Sequence, residues 1–138
     1  MAMMVLTAAY VSITGPGTIH NRCSKAELSV DVEEKDVTTF ASAGWKEVLG
    51  GLKSGQLALS LKNDIVDDGL DEDFWTILGT VVTFAVRLTQ DAISTSNPEY
   101  QGSVLIKEWK PLNGTVGDVA ELDVTFPTSG AIVRDVTP

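Results

Sequence analysis

The chain contains one cysteine and one histidine. A single thiol excludes an internal disulfide framework and a multi-cysteine metal site. His20, three residues before Cys23, lacks the further partners that a metal centre or an imidazole-assisted thiol nucleophile would require. Basic residues are also scarce. Ten Lys and Arg stand against nineteen Asp and Glu, a formal charge of -9, which is the wrong sign for gripping a phosphate backbone. Aromatics make up only 7% of the chain, and Trp45, Trp75 and Trp109 are too far apart in sequence to suggest a stacking platform for single strands. No apolar run approaches the roughly 20 residues that span a bilayer, so no membrane role is expected. The opening 13 residues are apolar but carry no basic n-region, and Thr7, Tyr10 and Ser12 interrupt them, so they read as a strand and not as a signal peptide.

Catalytic signatures are missing as well. The segment Gly15-Pro16-Gly17-Thr18-Ile19-His20 half-resembles a phosphate-binding glycine loop, but its third glycine is absent, proline stiffens it and no helix follows. It reads as a turn. The densest acidic run, Asp64 to Asp73, invites a calcium reading, yet in an EF-hand register begun at Asp64 the third position is Val66 and the twelfth is Trp75. A charged helix entrance accounts for it better, because Asp71, Glu72 and Asp73 fall where the helix dipole favours anions. No nucleophile, base and orienting group appear together. The expectation is therefore no catalytic residue, no metal, no cofactor and no enzymatic activity.

What is present is period-two alternation. Ala26, Leu28, Val30 and Val32 alternate with Glu27, Ser29, Asp31 and Glu33, as in a half-buried strand. Leu57, Leu59 and Leu61 repeat the pattern, followed by Val82, Phe84, Val86 and Leu88, and by Ala120, Leu122, Val124 and Phe126. Strands near residues 5–13 and 103–110 bring the total to about six. A stripe of Leu70, Phe74, Ile77 and Leu78 predicts one short helix near residues 70–78, ended by Gly79, with Trp75 expected in the core. The 138 residues fit one domain: an all-β antiparallel sandwich or partial barrel with one helix and a long assembly loop.

That loop, residues 37–53, carries Phe40, Trp45, Val48, Leu49 and Leu52 among glycines. A hairpin needs two to five polar residues, and this connection is too apolar for a disordered linker. Left half-exposed, each of these side chains forgoes on the order of 1 to 3 kcal/mol of burial. The composition predicts that they are sheltered by a second copy of the chain, and that the loop orders only on assembly.

Several segments carry a resemblance. Asp36-Val37-Thr38-Thr39-Phe40, Gly44-Trp45 and Leu49-Gly50-Gly51-Leu52-Lys53 resemble the long loop of the major tail tube proteins of long-tailed (siphovirus-type) bacteriophages, particularly those of actinobacterial hosts. Leu70-Asp71, Phe74-Trp75 and Leu78-Gly79 are similar to that family's single helix, Ser96-Asn97-Pro98 and Tyr100-Gln101-Gly102 to its late loop, and Gly117-Asp118-Val119-Ala120 and Thr125-Phe126-Pro127 through Gly130-Ala131 to its closing strands. The likeness covers essentially residues 5–134 and lies in the order and spacing of these segments.

The resemblance implies a structural virion protein whose partner is itself. Its hexameric rings would stack into a tail tube bounded by tail tip, length-measuring and tail terminator proteins, built in the host cytoplasm. Double-stranded DNA would pass through without specific binding. Glu27, Asp31 and Glu33 share one strand face and are the candidates for lining the lumen. Two alternatives stand beside this reading: a tube subunit of a contractile tail or related secretion device, and a monomeric β-sandwich binding module.

Overall fold

Strands with one apolar face are stable when two such faces meet, and here they meet as two antiparallel sheets. The computed structural model describes residues 3–63 and 69–137. The elements are β1 (Tyr10–Ile13), β2 (Gly17–Thr18), β3 (Cys23–Asp36), β4 (Val48–Lys62), α1 (Leu70–Ile77), β5 (Val81–Arg87), β6 (Glu99–Leu105), β7 (Glu121–Pro127) and β8 (Val133–Asp135). Single 3-10 turns lie at His20–Arg22 and Phe40–Ser42. One sheet has the order β2-β1-β5-β6-β8 and the other β3-β4-β7, with no closed barrel. The expected all-β sandwich is the observed fold.

The core forms where the alternating faces converge. Val11 and Ile13 of β1, Phe84 of β5 and Val104 just before the end of β6 meet Leu57, Leu59 and Leu61 of β4 and Leu122, Val124 and Phe126 of β7. Burying each such side chain contributes about 1.5 to 3 kcal/mol. Helix α1 covers part of this core with Leu70 and Phe74, and it carries Asp71, Glu72 and Asp73 in its first turn. Phe74 stacks on Trp109 with ring centroids 4.5 Å apart and planes 8° from parallel, and it also meets Phe126 at 6.0 Å. The Trp109 indole N–H donates to Asp71 Oδ1 at 2.9 Å, so the one polar atom of this aromatic cluster is satisfied. Asp64, Asp67 and Asp68 of the acidic run lie outside the described residues.

Several boundaries differ from the sequence expectation for physical reasons. The first strand begins at Tyr10, not at residue 5, because its partner β5 ends at Arg87, opposite Tyr10. The strand expected at residues 103–110 instead spans Glu99–Leu105, where β5 offers partners from Arg87 to Val81 and β8 pairs with Glu99 to Gln101. About six strands are expected, and the described residues form eight, the two short additions being β2 and β8. Trp75 is exposed on α1, and Trp109 holds the buried aromatic position instead.

Candidate functional site

Strand β7 pairs with β4 only from Gln56 to Lys62, while β3 and β4 stay paired well beyond it, from Val30 opposite Gly55 to Asp36 opposite Val48. The result is a two-stranded ribbon projecting past the sandwich. At about 3.3 Å per residue, the seven residues of β4 from Val48 to Ser54 extend roughly 20 Å. A two-stranded hairpin in water is marginal on its own, because neither face is covered.

Gly55 marks the root of this arm. A Cβ there would lie 2.9 Å from both the Ser29 carbonyl oxygen and Ile132 Cδ1. The Gly55 carbonyl accepts from both the Thr128 N–H and the Thr128 hydroxyl, at 3.0 and 3.1 Å. Farther out, a register shift places Gly51 and Leu52 together opposite Glu33, a bulge that increases the local twist.

The tip is a hydrogen-bonded turn within the single chain. The Val37 N–H donates to the Glu47 carbonyl at 3.0 Å, and Thr38 Oγ1 accepts from the Glu47 N–H at 2.8 Å. Thr39 and Ser42 cap the 3-10 turn reciprocally, and the Trp45 N–H closes onto the Ser42 carbonyl at 3.0 Å. Asp36 Oδ1 accepts from the Thr38 N–H, and hydrogen bonding from Thr38, side chain first and backbone second, holds the Asp36 carboxyl below its ordinary range. Strand β4 begins at Val48, so the connection spans residues 37–47 and not 37–53.

The five apolar residues singled out in the sequence are thus distributed along one arm and do not form one cluster. Phe40 and Trp45 occupy the tip, with Phe40 fully exposed and Trp45 78% exposed. Leu49 pairs with Lys35 and Val48 with Asp36, so these two neighbours point to opposite faces of the ribbon. Leu52 sits in the bulge and is 79% exposed. Val30 and Val32, which the alternation assigns to the buried face, are each more than half exposed, because the opposing sheet does not reach them.

Ala43 adopts the left-handed conformation with φ 54° and ψ 39°. A residue with a Cβ is strained there by about 1 to 2 kcal/mol. Ala43→Gly should therefore tighten the tip by roughly 0.5 to 1 kcal/mol net of the added unfolded-state entropy. Slower amide exchange at Ser42 and Trp45 would register the gain, and faster exchange would refute it.

The three lumen candidates lie together. Glu27, Asp31 and Glu33 alternate along the exposed side of β3, and that sheet face also carries Glu121 and Asp123 of β7. Lys62, on the same face, is paired with Glu121, and the Ser60 hydroxyl with Asp123. Carboxylates outnumber the lysines of this face, Lys25, Lys62 and Lys35, the last paired with Glu33, and Ala58, Ser29 and Gln56 lie between them.

Two features escaped the sequence reading. The segment between β6 and β7 presents Leu112 and Val116 fully exposed and Val119 two-thirds exposed. Its signal, apolar residues without periodicity among Gly, Asn and Pro, is the same one that marks the arm. The other is a largely buried ion pair, Arg87 with Glu99 at 3.3 Å, with the guanidinium 3.9 Å from the centre of the Tyr10 ring. The two residues are twelve apart in sequence and become neighbours only through the β5–β6 register, so no linear pattern points to the pair.

Chemistry elsewhere is quiet. Cys23 is half-buried and donates to the Lys25 carbonyl, and burial pushes its thiol pKa up, away from nucleophilic reactivity. His20 lies against Tyr10 with ring centroids 5.6 Å apart. Among the described residues no three His, Cys, Asp or Glu side chains gather to hold a metal.

Fold and surface together define an all-β sandwich whose longest hairpin is built to project. The fold recurs in chains of gene transfer agent particles. A chain in the virion of a native gene transfer agent particle superposes with a TM-score of 0.76 at 21% identity, over 96% of this chain and 98% of that one. A chain in the tail of an empty gene transfer agent particle, described with C6 symmetry, superposes with a TM-score of 0.65 at 20% identity, over 92% and 93%. No protein-family model and no curated protein matches the sequence.

Proposed function

We propose that the chain is a structural, non-enzymatic virion protein, the repeating subunit of a phage-like tail tube. Six copies form a ring, rings stack into a cylinder, and the acidic face of the β3-β4-β7 sheet lines a channel for double-stranded DNA. The observation that carries this reading is the uncovered arm: a hydrogen-bonded ribbon with apolar groups on both faces and at its tip, which nothing among the described residues shelters. Because the arm's backbone is already hydrogen-bonded, docking it opposes association with less ordering entropy than an unstructured loop would.

Two further observations support it. The three-stranded sheet ends in edges at β3 and β7, the latter met at the Thr125 N–H by Glu108, and closing such sheets around a ring satisfies the edge groups left unpaired. The superposed tail chain belongs to an assembly of sixfold symmetry. A carboxylate-lined wall repels phosphates, which lets DNA slide without being held. Tail tip, length-measuring and terminator proteins would bound the polymer, with assembly in the host cytoplasm.

Negative-stain microscopy of the concentrated protein is the direct test. Rings or tubes are expected, whereas a persistent monomer would favour a monomeric binding sandwich instead. The lumen assignment has its own check. The triple variant Glu27→Lys, Asp31→Lys, Glu33→Lys should still form tubes but slow DNA delivery, and infection at the native rate would remove those residues from the channel wall.

A further inference from the structure

The arm and the second apolar surface lie at opposite ends of one sheet. Strand β4 runs from Val48 at the arm to Lys62, and there the Asn63 N–H donates to the Ala120 carbonyl and the Asn63 side-chain amide to the Pro111 carbonyl, tying the segment from Pro111 to Ala120 to the far end. At about 3.3 Å per residue the 15 residues of β4 separate the two ends by roughly 50 Å. No single subunit can bring its own tip to its own far end.

The far end has the character of a receiving surface. Leu112 and Val116 are fully exposed and Val119 is two-thirds exposed, around a turn closed by the Asp118 N–H on the Thr115 carbonyl. A cleft of about 240 Å³ opens beside Leu112, lined also by Asn63, Lys110 and Leu122. Lys110 lines it, exposed and without an ion-pair partner among the described residues, beside Asp118, while Glu121 of the same lining is paired with Lys62. The arm tip offers the complement: Phe40 and Trp45, with Asp36 and Glu47 at its base carrying no ion pair, whereas Lys46 is already bound to Glu34.

We propose that the segment from Leu112 to Val119 is the docking site for the arm tip of a second copy, with Phe40 and Trp45 seated against Leu112, Val116 and Val119 and Lys110 meeting the carboxylates of Asp36 and Glu47. The proposal rests on the tube reading and names the surface that receives the arm. Such a contact joins two different patches head to tail, so it does not close on itself and propagates along one direction. It gives the polymer a polarity: each free end exposes either arms or docking segments, never both.

The test uses two variants of the full chain. Leu112→Asp with Val116→Asp keeps an intact arm, and Trp45→Ala keeps an intact docking segment. Circular dichroism and thermal unfolding should match the native chain for both, since all three side chains are solvent-exposed. Each variant alone should fail to polymerise at a concentration where the native chain forms rings or tubes. Mixed, they should yield a complex with equal numbers of the two, because one intact arm finds one intact docking segment and growth stops there. Polymerisation of the Leu112→Asp, Val116→Asp variant at the native level overturns the docking site and leaves the tube reading standing. So does a mixture whose components remain separate in sedimentation. Failure of the native chain to self-associate overturns both.

Discussion

Trp45→Ala, alone or with Phe40→Ala, should leave the subunit folded and abolish its assembly. The two effects separate because the side chains contribute almost nothing to the subunit's own packing: Phe40 is fully exposed and Trp45 nearly so. Exposed substitutions usually shift stability by no more than about 0.5 kcal/mol. An aromatic anchor at the centre of an interface is worth about 2 kcal/mol or more, and about 1.4 kcal/mol is already tenfold in an equilibrium constant. In a polymer every junction loses this contribution, so even one anchor raises the concentration needed for growth at least about thirtyfold. Urea midpoints and sedimentation velocity measured on the same preparations check the claim. Native-like tubes from the double variant would show that the arm is not the assembly device.

The opposite dissociation is expected inside the sandwich. Phe74→Ala removes a fully buried ring that stacks on Trp109 and touches Phe126, and truncations of this kind cost about 3 to 5 kcal/mol. A whole domain has only about 5 to 15 kcal/mol, so this change should lower the melting temperature by more than roughly 10 °C and expose Trp109 to solvent. Assembly would then fail for want of folded subunits, and at low temperature, where the variant is folded, tubes should still form because its arm is unchanged. Thermal unfolding followed by tryptophan fluorescence reads the loss. A shift of only a few degrees would mean that α1 is a dispensable cover rather than part of the core.

These two outcomes divide the molecule along the line where its sequence was readable. The alternations of Ala26 and Leu28, of Leu57 to Leu61 and of Leu122 to Phe126 predicted half-buried strands, and those residues face the core. Period-two patterning reports a local property, the side of a pleat on which each side chain falls, and needs no knowledge of the partner. The same logic overreached at Val30 and Val32. They continue the pattern flawlessly, yet the opposing sheet ends before reaching them.

The arm shows the limit most clearly. Composition alone flagged Phe40, Trp45, Val48, Leu49 and Leu52 as apolar groups in need of shelter, but read them as a loop of residues 37–53. The structure extends β4 back to Val48 because β3 is there to pair with it through Asp36, a long-range match that local glycines at positions 50 and 51 conceal. Trp75, expected in the core, is exposed, and Trp109 holds the buried aromatic position instead. One residue beyond Phe74, Trp75 is turned about 100° off the buried stripe, and the space under α1 is filled by Trp109 arriving from 34 positions later in the chain.

What the chain settles by itself is whatever depends on residue type and short spacing: two-faced strands, one helix with an acid-loaded start, the absence of cysteine chemistry, and an excess of greasy side chains in a glycine-rich stretch. Tertiary structure alone decided which of those greasy groups are covered, where the ribbon leaves the sandwich, and that a second bare patch lies at the far end of the same sheet. The reason is that burial depends on which distant segment occupies the space opposite. That is set by strand order and register over separations of tens of residues, which period and composition do not encode.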